Sequence, residues 1–346
     1  MKHEKLIRRA FFVVGLLVIS SLFLALSFYG NESKKETQKK PTVADTGSAI
    51  KKNQEKSSAK KTLEKISRQL SPETYNFNSN AKWSYDNAVI ANRLKIPYVS
   101  QIPSGILVNP ENGKVLWSKL SKRPMEIASM TKMMTVLLAL EAVKNGEISL
   151  DDKIKVTKSA ARIGGSQVFL KEGEVFSLRD LLKTIMIVSA NDSAYLIAEK
   201  IGGGSVKKFV DMMNKKAFEL GMSSTHFYNP HGLPERGGRN NKSSAYDLAI
   251  LACKLLNYPN ARKWASTWMD DFRNGNFKLV NHNKLIKTVK GVDGMKTGYY
   301  KKAGFCVTLT AKQNGHRLVG VIIGAKTKTI RNTFAKKLLE WSATRL

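Results

Sequence analysis

Three short runs of this chain carry residue types that do chemistry together. Ser129-Met130-Thr131-Lys132 sets a hydroxyl and an amine three residues apart, on one face of a helix. At a helix start the Ser129 Oγ lies near the positive end of the dipole, and a neutral lysine one turn on can take its proton. The same Ser-x-x-Lys spacing begins at Ser48, Ser57, Ser58 and Ser205, so spacing alone selects nothing. Ser129 differs because it opens a strongly apolar helix that would bury Lys132. Ser189-Ala190-Asn191 follows an apolar stretch. Its hydroxyl and carboxamide can shuttle a proton and orient a substrate amide, or can simply cap the next helix. Lys296-Thr297-Gly298 precedes a β-rich run. It offers a cation, a hydroxyl and close backbone approach, or forms a plain surface turn. Ser-x-Asn and Lys-Thr-Gly each occur once.

The surrounding periodicity says what must position these runs. Ser104 to Ser118 reads as a β-hairpin around Asn109-Pro110-Glu111-Asn112-Gly113. Helices are expected over Met130 to Val143, stopped by Asn145-Gly146, over Leu178 to Val188, and over Ser193 to Lys200 before three glycines. Two more are expected over Val206 to Leu220 and Ala245 to Leu256, the latter capped from Ser243-Ser244. The period then changes. Gly304 to Ala311 and Leu318 to Gly324 read as strands joined at Gln313-Asn314-Gly315, and Thr333 to Trp341 as a closing helix. This order predicts an α/β domain whose sheet is built from both chain ends.

The 346 residues include 58 Lys+Arg against 27 Asp+Glu, a net charge of +31, with 42% apolar residues and two cysteines. Such composition excludes a wholly disordered chain, a collagen-like fibre, a multi-span membrane protein and a disulfide-framed miniprotein. The excess charge suits an acidic environment: nucleic acid, anionic lipid or an anionic wall polymer. A basic start, Met1 to Arg9, precedes twenty uncharged residues from Ala10 to Tyr29. That length favours a single-pass membrane anchor, with signal cleavage after Ala25-Leu26-Ser27 and secretion as the alternative. The positive-inside rule places everything after Tyr29 outside the cytoplasm and argues against nucleic acid as a partner. The expected organisation is therefore residues 1–30 as signal anchor or signal peptide and 31–87 as a Lys-rich flexible linker with too few apolar side chains to order. Residues 88–346 are expected to form the folded domain that carries the three motifs.

Together, and in this order, the three motifs resemble those of penicillin-binding proteins and serine β-lactamases. The stretches IASMTKMMT, IGGSQVFLKEGE, VSANDSAYLIAE, MNKKAFELGMSSTHFYNPHGL and VDGMKTGYYKKAGF are similar to the low-molecular-mass penicillin-binding proteins of the serine D-alanyl-D-alanine carboxypeptidase family, from about Ile102 to Trp341. The resemblance implies a β-lactamase/DD-peptidase-like α/β fold, an antiparallel sheet flanked by helices plus a helical subdomain. It implies removal of the terminal D-alanine from peptidoglycan stem peptides, and β-lactams as inhibitors. Ser129 would be the nucleophile and Lys132 its base, held neutral by burial and by the charge of Lys296. The backbone N–H groups of Ser129 and Tyr299 would form the oxyanion hole. Ser189 would relay a proton and Asn191 would hold the substrate amide. Lys296, Thr297 and Arg331, with Gly298 giving close approach, would bind the substrate carboxylate. No cofactor or metal is expected.

Other members often carry an additional all-β domain and a C-terminal amphipathic helix. This chain ends about fifty residues after Lys-Thr-Gly, so the N-terminal helix is the expected sole anchor. Some relatives place an arginine where this chain has His282, which is left unassigned. Pro234 to Lys242 reads as a site rim or a mobile loop. His226 and His231 read as loop residues rather than metal ligands, Cys253 and Cys306 as buried free thiols, and Met130, Met133 and Met134 as core. A β-lactamase of this architecture typically deacylates with a Glu-x-x-Leu-Asn segment, which the chain lacks. A DD-endopeptidase and a non-catalytic wall-binding protein remain alternatives.

Overall fold

The computed structural model describes Phe77 and residues 83–346. The expected N-terminal anchor and most of the linker lie outside the described residues. Among the described residues no helix is long and apolar enough to cross a membrane.

The chain enters the fold earlier than residue 88. Trp83 is buried, Ser84 pairs with Lys114, and the Phe77 N–H donates to Asn257 Oδ1 at 3.1 Å. Among the described residues twelve strands and nine α-helices follow. Strands β1 (Val89–Ile90), β2 (Ser104–Asn109) and β3 (Lys114–Lys119) come first, then β4 (Met125–Glu126). Helix α1 (Lys132–Lys144) precedes β5 (Lys153–Lys155), α2 (Lys158–Ala161) and β6 (Val175–Ser177). A helical run follows: α3 (Leu178–Val188), α4 (Asn191–Ile201), α5 (Val206–Glu219), then the short β7 (Lys242–Ser243), α6 (Ala245–Leu256) and α7 (Pro259–Ser266). The hairpin β8 (Met269–Phe272) and β9 (Phe277–Val280) leads through α8 (Leu285–Thr288) to β10 (Val292–Tyr300), β11 (Gly304–Gln313), β12 (His316–Ala325) and α9 (Lys328–Ser342).

The main sheet has the order β1-β3-β2-β12-β11-β10, so both chain ends build it. It is mixed rather than purely antiparallel, because the two-residue β1 runs parallel to β3 at one edge. Side-chain alternation splits its faces. Ile106, Val108, Val319, Val321 and Ile323 join the core made with α1, α3 and α6, whereas Leu107, Trp117, Val307, Leu309 and Ile322 pack under α9. Trp117 meets Phe334 of α9 edge-on at 5.1 Å. The β11–β12 turn places Asn314 and Gly315 both at positive φ, as a two-residue hairpin of matching twist requires.

Helix α1 is buried at every position from Lys132 to Leu140, so it runs through the core rather than along its surface. Helix α3 begins at a Ser177 cap and ends at Ser189, whose φ of 64° turns the chain directly into α4. Ser244 caps α6 and Thr327 caps α9. Helix α9 starts five residues before the expected Thr333, which puts Arg331 on the helix rather than ahead of it. Cys253 and Cys306 are buried free thiols.

Candidate active site

Ser129 lies in a 3-10 turn, Ala128–Thr131, that feeds α1. The turn is clamped from several sides. Thr131 Oγ1 donates to the Ala128 carbonyl, and Asn241 Nδ2 donates to Thr131 Oγ1 at 2.9 Å and to the Asn229 carbonyl at 2.8 Å. Ala128 itself sits at φ 46°, an uncommon region for a residue with a Cβ. The second half of the 234–242 segment is thus framework rather than a mobile loop, since Asn240 and Asn241 are buried.

Edge strand β10 passes beside this turn. A Cβ on Gly298 would lie 2.7 Å from the Ile127 carbonyl oxygen and 3.2 Å from both Ala128 Cβ and the Met130 nitrogen. Only glycine lets the strand approach so closely. Gly232, at φ 84°, does the same for the 229–233 loop, where a Cβ would overlap the Ala128 carbonyl.

Lys132 is 0% exposed. Its Nζ donates to Asn191 Oδ1 at 2.6 Å, to the His231 carbonyl at 2.6 Å and to Ser129 Oγ at 3.0 Å. Burial first, then the positive charge of Lys296, lowers its pKa well below the usual lysine value, against an opposing pull from Asp192. In the neutral amine the two N–H bonds stay with Asn191 and His231, which can only accept. The lone pair is left facing the Ser129 hydroxyl. The Asp192 carboxylate is turned away into the N–H groups of Val168, Leu170 and Ser193.

Asn191 is committed on both sides. Its Oδ1 takes Lys132 and its Nδ2 donates to the Gly164 carbonyl at 2.8 Å, while its own N–H donates to the Ser166 carbonyl. The structure therefore shows Asn191 fixing the Lys132 nitrogen and the 163–166 loop. Ser189 Oγ, by contrast, is buried with no hydrogen-bond partner.

Lys296 is 2% exposed, and its Nζ donates to the Thr297 carbonyl at 3.1 Å. Burial, then the charge of Arg331, lowers its pKa to about 7. Arg331 is buried in α9. It donates to the Cys306 carbonyl and to Asn332 Oδ1, and burial pulls even its guanidinium down to about 10. An open cavity of about 350 Å³ brings Ser129, Ser189, Thr297, Gly298, Tyr299 and Arg331 together, and Ser166, His282, Phe305 and Lys328 complete its lining. Tyr299 stacks on Phe305 with ring centroids 4.1 Å apart. Loss of water first, then the charges of Lys296, Lys328 and Lys132, push the His282 ring to about 4, so it is neutral near pH 7.

Of the nine candidate site residues, Ser129, Ser189, Thr297, Gly298, Tyr299 and Arg331 line this cavity; Lys132 reaches it through its hydrogen bond to Ser129, Asn191 through Lys132, and Lys296 lies buried beside Thr297 on β10. Sequence reasoning missed four contributors. The His231 carbonyl is a backbone atom without a residue signature. Ser166, His282 and Lys328 come from three distant segments. The IGGS stretch was a usable signal for Ser166, and Thr327 as a helix cap was one for Lys328.

The arrangement can activate a serine hydroxyl, hold a carboxylate against two cations and protonate a leaving amine. Residues 89–327 match the family model described as D-alanyl-D-alanine carboxypeptidase, Peptidase S11. The chain is 45% identical over 242 residues to D-alanyl-D-alanine carboxypeptidase DacF of Bacillus subtilis, covering 69% of this chain and 61% of that one. It thus spans about three fifths of that relative's length. Among solved structures it is similar to penicillin-binding protein D2 from Listeria monocytogenes in the ampicillin-bound form, with a TM-score of 0.63 and 31% identity over 69% of this chain and 96% of that one. It is also similar to D-alanyl-D-alanine carboxypeptidase DacD from Francisella tularensis, with a TM-score of 0.66 and 28% identity over 72% and 71% of the two chains.

Proposed function

Since the chain belongs to the D-alanyl-D-alanine carboxypeptidase family, we propose that it removes the terminal D-alanine from peptidoglycan stem peptides through an acyl-enzyme on Ser129. The observation that carries this reading is the buried Lys132 nitrogen held 3.0 Å from Ser129 Oγ by two fixed acceptors. Lys132 takes the hydroxyl proton as Oγ bonds to the carbonyl carbon between the two D-alanines. The Ser129 and Tyr299 N–H groups receive the oxyanion, an interaction whose loss typically costs about 10²–10³ in rate. The C–N bond then breaks, and the leaving amine takes its proton through Ser189, whose unpartnered Oγ gains a partner only when substrate is bound. Lys296, Thr297 and Arg331 hold the carboxylate. Water, activated by the once more neutral Lys132, releases the shortened peptide and restores Ser129.

A β-lactam follows the same path, but its amine stays tethered to the acyl group. The residues lining the cavity include no carboxylate to drive water onto such an adduct, which supports slow rather than rapid deacylation. The apolar run from Ala10 to Tyr29 would anchor the protein in the membrane with this domain on the outer face, beyond a basic tether suited to anionic wall polymer or lipid.

The test is fluorescent penicillin labelling of the purified chain beside Ser129→Ala, with D-alanine release followed in parallel. Persistent label on the wild type alone, together with D-alanine release, is expected. Label that vanishes within seconds indicates a β-lactamase, and a folded chain that neither labels nor releases D-alanine is a binding protein.

A further inference from the structure

Three donors converge on one buried carboxylate outside the cavity lining. Glu126 lies in β4 and is buried. Its Oε2 accepts from the Tyr300 hydroxyl at 2.9 Å. Its Oε1 accepts from Asn240 Nδ2 at 3.1 Å and pairs with the Lys302 ammonium at 2.6 Å. Burial pushes the Glu126 carboxyl up, but hydrogen bonds from Lys302, Asn240 and Tyr300 outweigh it and hold the group below the usual carboxylate range. Burial and then Glu126 raise the Tyr300 hydroxyl, so it remains a donor. The reaction described above makes no use of this cluster.

Its place in the chain gives it one. Glu126 stands three residues before Ser129, and Tyr300 immediately follows Tyr299. Their bond therefore joins the two elements that supply the oxyanion donors: the turn with the Ser129 N–H and β10 with the Tyr299 N–H. Strand β10 is an edge of the main sheet, paired with β11 on its inner side. Beside the turn, a stop and a tie act on it two residues apart. At Gly298 the strand is pressed against the Ile127 carbonyl, where a Cβ would come within 2.7 Å, so it cannot move closer. At Tyr300 the bond to Glu126 keeps it from moving away. Glu126 is itself held, since β4 pairs with β7 at Glu126 and Lys242, and Asn240 also accepts the Glu235 N–H. Lys302 adds little to the tie because its side chain is 73% exposed.

We propose that Glu126 is a positioning residue that sets the width of the oxyanion hole, drawing β10 toward the nucleophile turn through Tyr300. The inference rests on the acyl-transfer reading above and adds no step to it. Oxyanion donors must lie about 2.7–3.1 Å from the developing charge. A strand freed to drift beyond that window costs rate more than affinity, because the oxyanion exists only in the transition state.

The test uses the full purified chain, Tyr300→Phe and Glu126→Gln, with Lys302→Gln as control. Tyr300→Phe removes one hydroxyl and leaves Glu126 its other two donors. It should lower kcat for D-alanine release about tenfold, a fraction of the roughly 10²–10³ that a lost donor costs, with KM changed less than about twofold. Affinity for a peptide boronic acid, which forms a tetrahedral adduct on Ser129, should fall by the same factor. The acid limb of the pH profile should stay in place, since burial, Lys296 and Asp192 set the Lys132 pKa and none of them is altered. Glu126→Gln leaves one carbonyl oxygen to face three donors and should show the same split, while Lys302→Gln should stay within about twofold of wild type. Unchanged kcat and boronate affinity in Tyr300→Phe overturn the proposal. So does a loss of kcat that boronate affinity does not follow, which marks a general loss of structure. If thermal melting shows Tyr300→Phe unfolded, the same readings on Glu126→Gln decide. Absence of both D-alanine release and penicillin labelling in the wild type overturns the underlying reading, and this one with it.

Discussion

Replacing Lys296 by methionine should make the protein more stable and less active, and the gain should depend on pH in one direction. Lys296 is 2% exposed, and its folded pKa is lowered to about 7 by burial and then by Arg331. An unfolded lysine titrates near 10.4. Below about pH 7 both states carry the charge, and the fold bears the whole cost of hiding it. Between about 7 and 10.4 the unfolded chain holds a proton that the folded chain has released, so stability rises with pH. Above that range the cost is gone. The gap between the two values corresponds to roughly 5 kcal/mol at about 1.4 kcal/mol per tenfold. Methionine has similar length and no charge, but it leaves the Thr297 carbonyl without its 3.1 Å donor, which returns about 1–2 kcal/mol. The net gain is then on the order of 3 kcal/mol at pH 6, or about 6–12 °C in Tm at roughly 2–4 °C per kcal/mol.

Thermal unfolding of both proteins at pH 6, 8 and 10 reads this directly. The gap should be widest at pH 6 and close by pH 10. Penicillin acylation should fall at the same time, because Lys132 loses one of the charges that lower its pKa. A methionine variant that is less stable at pH 6, or whose offset does not change with pH, refutes the reasoning: Lys296 would then not be a charge held at a cost.

Two further outcomes follow from the same geometry. Asn191→Asp sets a carboxylate against the Lys132 nitrogen, now 2.6 Å from an amide oxygen. It should raise the Lys132 pKa and move the acid limb of the acylation profile up by about one to three pH units, with recovery at high pH; a uniform loss with an unmoved limb would show a merely structural role. Gly298→Ala puts a methyl 2.7 Å from the Ile127 carbonyl, so β10 must shift away from Ser129. Acylation should drop on the order of 10²-fold and stability by about 1–3 kcal/mol, and near-wild-type values in both would show that the strand need not sit so close.

The elements the sequence made legible are those whose signals are local. Helix α3 matches its expected bounds because Leu178 to Val188 is strongly amphipathic and ends at a residue forced to positive φ. The β11–β12 turn was readable from Asn314-Gly315, two residues that tolerate that conformation. The start of α9 was not. Its first turn, Lys328 to Arg331, shows almost no apolar stripe before Phe334, and only the Thr327 cap marks it. Trp83 stands alone in a polar stretch, so nothing periodic announced that it would be buried. The three motifs were readable because residue type at short spacing survives without structure. The partners that hold the Lys132 nitrogen were not, since one is a backbone carbonyl 99 positions away. Asn191 was read as a substrate ligand; its contacts to Lys132 and Gly164 add a role that no spacing encodes.

The site gathers what folding otherwise avoids: the buried Lys132, Lys296 and Arg331, Ala128 and Ser189 at positive φ, and an unpartnered Ser189 hydroxyl. Such a concentration is stable only because the surrounding packing over-determines it. On the reading proposed above, substrate would be the missing partner of Ser189. A carboxylate docked between Lys296 and Arg331 would hold Lys296 in its charged form, against the burial that otherwise lowers it to about 7. That retained charge is one of the causes that lower the Lys132 pKa. A bound carboxylate would therefore sustain the base as well as position the scissile bond. An uncharged chain terminus, lacking that effect, would lose acylation rate as well as affinity.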